Sequence, residues 1–222
     1  MSGPEPPRGC PRCPRLVAYR NTNASREPAW YNGAVPSFGD PEARLLVLGL
    51  APGVGGANRT GRPFTGDYAG TLLYETLTRF GFANGRFAAD PGDGLLLTDC
   101  MVSNAVRCVP PQNKPTPAEI AECRPFLSAR LAALPRLRAV VCLGRIAHES
   151  LLRALNTRLA AHAFAHGAEH EVGGLAVFDS YHCSRYNTNT GRLTPEMFAS
   201  VFAAVRRHLD DAQPRRGLSA SA

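Results

Sequence analysis

Apolar residues along the chain fall in short continuous runs, separated by polar stretches rich in glycine and proline. Arg44 to Leu50 (RLLVLGL), Leu95 to Val102, Arg138 to Leu143 (RAVVCL) and Leu175 to Tyr181 each read as a buried strand. Helix-length segments with start signals lie between them. Asp67 stands where an N-cap would open a helix over about Tyr68 to Phe80. Thr116-Pro117-Ala118-Glu119 forms a capping box and opens a helix to about Leu134. Gly144 precedes a helix near Ile146 to Leu155, and Thr194-Pro195 opens a last one to about Leu209. Residues 1–40, broken by Pro11, Pro14, Pro28, Pro36 and Gly39, read as irregular, and Asp210 to Ala222 as a frayed tail.

Buried-type strands alternating with helices predict an α/β fold, a parallel sheet with helices on both faces. No linker interrupts residues 1–222, so a single domain is expected. In such sheets chemistry gathers at the carboxyl ends of the strands. That directs attention to Ala51 to Gly66, Ser103 to Cys108 and His182 to Gly191.

Composition narrows the class. Hydrophobic residues make up 44% and charged residues 19%, a globular balance. No apolar run approaches the ~18 residues of a membrane span. Met1 to Arg15 lacks the apolar stretch of a secretory signal, so a soluble intracellular protein is expected. The net charge is +7, and Lys114 is the only lysine, so arginine carries nearly all the positive charge. An arginine fork can hold two phosphate oxygens, as nucleic-acid binding requires. An arginine- and alanine-rich composition drawn from a GC-rich genome gives the same balance.

The cysteines say more. Seven thiols in a reducing compartment do not read as disulfides. Cys10 and Cys13 form a C-x-x-C pair; Cys108 lies in a loop and Cys123 in the first turns of the capped helix. Four thiolates from two distant pairs suit tetrahedral zinc or a cubane cluster, and spacing alone does not choose. Cys100 and Cys142, inside strands, read as inert core thiols. His162, His166 and His170 recur every fourth residue, but the Gly173-Gly174 turn points to a hairpin that would scatter them.

The glycine-rich turn after the first strand is not a phosphate loop of the Walker type, because no Gly-Lys-Ser/Thr follows. It carries a different likeness. GLAPGVGGANRTGRPFTGD (Gly49 to Asp67), SNAVRC with the proline-rich loop and helical cysteine (Ser103 to Cys123), and HCSRYNTNTGRLT (His182 to Thr194) resemble the iron–sulfur uracil-DNA glycosylases, specifically type b, family 5. Together with Cys10-x-x-Cys13 these motifs extend over nearly the whole chain, in the family's order. The chain departs from relatives at two points. Leu50 stands where the sister family 4 has an acid, and Cys183 where the third motif commonly has proline.

The resemblance implies a uracil-glycosylase fold with a four-stranded parallel sheet, and a [4Fe–4S] cluster on Cys10, Cys13, Cys108 and Cys123. It implies base excision repair by a monofunctional enzyme. Uracil, hypoxanthine and xanthine would be removed from double-stranded DNA, leaving an abasic site. A monomer in the cytoplasm, associated with the nucleoid, is the expected setting. A base inside a duplex must be flipped into a pocket. Phe64 would stack on it, Asn104 would read its edge, and Ala51 and Pro52 would line the pocket beside Leu50. His182 would donate to the anion developing on the departing base. Asn58 is the candidate for placing the attacking water, with Asp67 assigned to the helix cap. Ser184, Arg185, Tyr186 and Asn187 would meet DNA. The competing reading is a metal- or cluster-bearing DNA-binding module without catalysis, which the missing acid at Leu50 keeps open.

Overall fold

The computed structural model describes residues 3–211. Its core is a six-stranded sheet: β1 (Phe38–Gly39), β2 (Leu45–Gly49), β5 (Cys100–Asn104), β6 (Ala139–Leu143), β7 (Glu169–Val172) and β8 (Leu175–Ser180), in the order β1-β5-β2-β6-β8-β7. The four central strands are parallel, while β1 and β7 are antiparallel additions at the edges. The expectation of four strands is therefore corrected to six. Both edge strands escape an apolar-run reading, because β1 has two residues and β7 alternates charge with partial exposure. A small ribbon pairs β3 (Ala83–Asn84) with β4 (Leu96–Leu97).

The sheet buries both faces. Leu45 and Val47 of β2 face the side covered by α3 (Tyr68–Arg79) and α7 (Pro195–Asp211), where Leu73, Leu77, Phe198 and Phe202 pack. Leu46 and Leu48 face the side of α4 (Pro117–Ala132) and α5 (Arg145–Ala154), against Leu127 and Leu151. All four β2 side chains are fully buried, each contributing about 1.5–3 kcal/mol.

Three further expectations are corrected. The run Leu95 to Val102 is not one strand: Asp99 takes a left-handed φ of 56° and its carboxylate binds the Arg44 guanidinium, which divides β4 from β5. Residues 1–40 are not wholly irregular, since α1 spans Pro14–Arg26. Its buried residues are Leu16, Arg20 and Asn23, two of them polar, so no apolar stripe announces it. The polar stretch after His182 contains a short helix, α6 (Arg185–Asn189), capped by the Ser184 hydroxyl. Of the tail expected to fray, Asp210 and Asp211 complete α7, and residues 212–222 lie outside the described residues. Among the described residues no helix is long and apolar enough to cross a membrane.

The capping box forms as read: the Thr116 hydroxyl accepts from the Glu119 N–H, and Glu119 accepts from the Thr116 N–H.

Candidate functional site

The carboxyl ends of β2, β5 and β8 open into a cavity of about 570 Å³. Leu50, Ala51, Pro52 and Gly53 line it from the turn after β2, Asn104 from the last residue of β5, and His182 and Ser184 from the segment after β8. Phe64, Asp67 and Tyr68 complete the wall where the glycine-rich turn enters α3.

Backbone shape sets this geometry. Gly49 and Asn104 are register partners on β2 and β5. A Cβ at Gly49 would lie 2.5 Å from both Asn104 Oδ1 and Phe64 Cζ, so only glycine lets amide and ring close together over the strand end. Phe64 itself holds a left-handed φ of 51°, a strain of roughly 1–2 kcal/mol for a side-chain-bearing residue. Gly70 of α3 accommodates that bend, because a Cβ there would fall 1.8 Å from the Phe64 carbonyl oxygen. Such strain persists only where its surroundings fix it.

The Phe64 ring stacks on the His182 imidazole, centroids 5.8 Å apart and planes 25° off parallel. Crowding by the surrounding protein lowers the His182 pKa to about 4, although part of the ring's surface faces the cavity. His182 is thus neutral near pH 7 and offers one N–H. Asn104 is 4% exposed and lines the cavity, its Oδ1 over Gly49. Asp67 occupies the N-cap position of α3, but its side chain makes no cap hydrogen bond. Its Oδ2 points back at the turn, 2.2 Å from where a Cβ of Gly56 would be. The carboxylate is open to cavity water and hemmed in by protein elsewhere. That burial raises its pKa above the ordinary value, and the Gly70 and Ala69 amides pull it down. Asp67 therefore stands at the start of α3, under the influence of the first-turn amides, and lines the cavity as well.

Asn58 is not brought to the cavity. It is fully buried behind neighbouring Ala57, its Nδ2 donates to Asn32 Oδ1 at 3.0 Å, and its own Oδ1 has no partner. Arg185 also lines the cavity, its guanidinium 5.3 Å over the Tyr68 ring. Tyr186 is 72% exposed on the same helix, and Asn187 Nδ2 ties back to the His182 carbonyl at 2.8 Å. Cys183 is buried with its thiol donating to the Ala69 carbonyl.

The second cysteine-bearing region lies apart. Cys10, Cys108 and Cys123 are buried and Cys13 half-buried around one small void, with Leu16, Val106 and Phe126. Burial raises the Cys13 thiol to about 11, with Cys123 adding to the rise, and Cys108 to about 12. Two donors already point at sulfur: Arg20 Nη1 at 3.3 Å from Cys108 Sγ, and the Arg107 N–H at 3.3 Å from Cys123 Sγ. Glu5 binds Arg107 at 2.8 Å and also pairs with Arg130, holding the N-terminal segment in place. A tetrahedral zinc with Zn–S near 2.3 Å draws its sulfurs to about 3.8 Å of one another. Among the described residues the one set of three metal-type donor atoms within 4.8 Å of each other is Cys142, His148 and Asp179.

Residues 36–206 match the uracil DNA glycosylase superfamily. The chain is similar to the type-5 uracil-DNA glycosylase of Thermus thermophilus, 49% identical over 205 residues, covering 89% of this chain and 93% of that protein. It is 42% identical over 207 residues to the type-5 uracil-DNA glycosylase of Pyrobaculum aerophilum, covering 91% and 89%. A type-4 uracil-DNA glycosylase of the same archaeon is 31% identical over 152 residues, covering 68% of this chain and 63% of that protein.

Proposed function

The chain belongs to the uracil DNA glycosylase superfamily, and from that premise we propose that it removes uracil, hypoxanthine and xanthine from double-stranded DNA by hydrolysis, leaving an abasic site. The observation that carries the reading is the convergence of Phe64, Asn104, Asp67 and neutral His182 on one cavity at the strand ends. The flipped base stacks on Phe64, and the Asn104 amide pairs with its edge as both donor and acceptor. Ala51 and Pro52, beside Leu50, give the cavity an apolar floor. That floor presents few polar groups that a purine would leave unpaired, which favours a wide base range.

As the glycosidic bond breaks, negative charge gathers on the base and positive charge on the sugar. The His182 N–H donates to the base oxygen where the anion forms, and a neutral imidazole suffices. Asp67 holds the attacking water and stabilises the cationic sugar; its position in the cavity wall supports this role over Asn58, which braces the turn from behind. Ser184, Arg185, Tyr186 and Asn187 form the DNA-facing edge, with Arg185 and exposed Tyr186 outermost.

Cys10, Cys13, Cys108 and Cys123 hold a [4Fe–4S] cluster in this reading. Four cysteines around one small void, with two donors aimed at sulfur, suit a thiolate-bound cluster. When bound, such a cluster cross-links the N-terminal segment to α4 and supplies one-electron redox chemistry. Excision as described uses no electrons. The protein works as a single-domain monomer in the cytoplasm, on nucleoid DNA.

The test is incubation with duplexes carrying one uracil, hypoxanthine or xanthine, followed by alkali to reveal abasic sites. Cleavage at each lesion is expected, and none in undamaged duplex. Intact strands after alkali for all three bases would refute the reading.

A further inference from the structure

On the other face of the sheet, behind β8, lies a buried polar group that excision does not use. Asp179 of β8 is fully buried. His148 of α5 places Nδ1 2.8 Å from Asp179 Oδ1 and Nε2 2.9 Å from the His162 carbonyl oxygen. His170 of β7 places Nε2 3.1 Å from Asp179 Oδ2. Cys142 of β6 is the register partner of Asp179. The hairpin read from the Gly173-Gly174 turn forms as β7 and β8, and it parts His166, which stacks on Tyr181, from His162 and His170. The rings of His162 and His170 stand 5.5 Å apart.

Proton accounting gives this group its character. A carbonyl oxygen only accepts, so His148 Nε2 must carry a proton. An ionised carboxylate also only accepts, so the contact at Nδ1 needs a proton too. The pair therefore holds one proton more than a neutral imidazole beside a carboxylate. A single zinc between the two atoms would keep them about 3.3 Å apart, wider than the distance found. The opposite demand holds at His166, whose Nδ1 accepts from the Tyr181 N–H at 3.2 Å and must carry none.

Each of these contacts secures residues 162–170 against the end of β8. The His162 carbonyl is held by His148, the His166 ring by the Tyr181 amide, and His170 by Asp179. The Gly167 N–H adds a bond to the Asp179 carbonyl. Tyr181 directly precedes His182. We propose that residues 162–170 form a proton-controlled strap that positions His182, closed while the His148–Asp179 pair carries its extra proton and His166 Nδ1 carries none.

The titratable groups facing His148 are Asp179, His170, His162, Cys142 and, on its own helix, Glu149. Burial disfavours a charged His148, but the hydrogen bond and charge of Asp179 outweigh it and raise its pKa. Cys142 stays a neutral thiol because burial raises its pKa well above the ordinary value. His166 faces Tyr181, with Arg192 over that same tyrosine, and burial lowers its pKa. The strap therefore opens at alkaline pH through His148 and at acid pH through His166.

The inference rests on His182 acting in excision, but its first test does not. Nitrogen NMR of histidine-labelled protein at pH 7.5 should show both ring nitrogens of His148 protonated and His166 Nδ1 bare. The second test is single-turnover excision from a uracil duplex across pH 6 to 10. The wild type should show a one-proton alkaline limb that coincides with His148 deprotonation by NMR. In Asp179→Asn the amide can donate to a bare His148 Nδ1 and still accept from His170, so the alkaline limb should vanish. A singly protonated His148 at pH 7.5, one zinc per chain lost on Cys142→Ala, or the same limb in wild type and Asp179→Asn would each overturn the strap. Should Asp179→Asn fold poorly, the coincidence of rate and NMR titration in wild type decides. Absence of excision at every pH, with the NMR states as expected, would refute the glycosylase reading instead.

Discussion

The cavity and the cysteine nest are built on opposite principles. The cavity is assembled at the ends of parallel strands, where register alone sets Gly49 beside Asn104 and glycine lets Phe64 close over both. The nest has no sheet beneath it. Its cysteines come from a loop, two helix starts and the N-terminal segment; Arg20 binds the Cys108 sulfur and the Cys10 carbonyl, while Arg107 and Arg130 hold Glu5. Backbone geometry guards the first region and electrostatics the second, so their failures should differ in kind.

The sharpest way to separate them is Gly49→Ala. The new methyl displaces both Asn104 and Phe64, each worth about 1–3 kcal/mol toward a bound base. Uracil excision per folded molecule in single-turnover assays should fall at least about thirtyfold, while any visible colour stays near wild type. A parallel loss of colour would show that the two regions are one unit. Cys108→Ala should do the reverse, losing the broad visible band of a bound cluster and lowering the unfolding midpoint, with less loss of excision per folded molecule. A colourless wild type with stoichiometric zinc would overturn the cluster. Asn104→Ala should slow excision by about five- to a hundred-and-fiftyfold, the cost of roughly 1–3 kcal/mol, and leave affinity for undamaged duplex unchanged.

Acid tests the cavity by linkage. His182 has a folded pKa of about 4, below the ordinary 6.5, so between these values the unfolded chain binds a proton that the folded protein refuses. Its contribution to stability is complete above pH 6.5 and is lost as pH falls toward 4. The unfolding midpoint of wild type should therefore drop relative to His182→Asn over that range; parallel curves would mean His182 is not held neutral. The smallest effect belongs to the nest's periphery. Thr116→Ala removes the cap of α4, at about 1 kcal/mol, and should lower the midpoint by roughly 2–4 °C without touching excision.

The same contrast decides how much could be read from sequence. Parallel strands buried on both faces announce themselves as unbroken apolar runs, so β2, β6 and β8 were legible and the positions after them marked the cavity. Helix α1 was not legible, because it buries an arginine and an asparagine toward the nest rather than an apolar stripe. Of the edge strands, β1 is too short to register and β7 carries charged, exposed residues in place of an apolar run. Asp67 was placed correctly at the start of α3, but sequence does not say which way an N-cap carboxylate turns. The spacing of His162, His166 and His170 carried no helix; it measures the stride of a segment laid along β8, a relation only the tertiary structure reveals.

Glu5 has a consequence for the order of synthesis. Its partners Arg107 and Arg130 follow it by 102 and 125 residues. At common translation rates the glutamate waits roughly ten seconds for the second of them. Throughout that interval Cys10 and Cys13 are already made but have no nest to enter. All four cysteines and both arginines are nevertheless made before β6, β7, β8 and α7, so every part of the nest exists before half of the sheet's strands do.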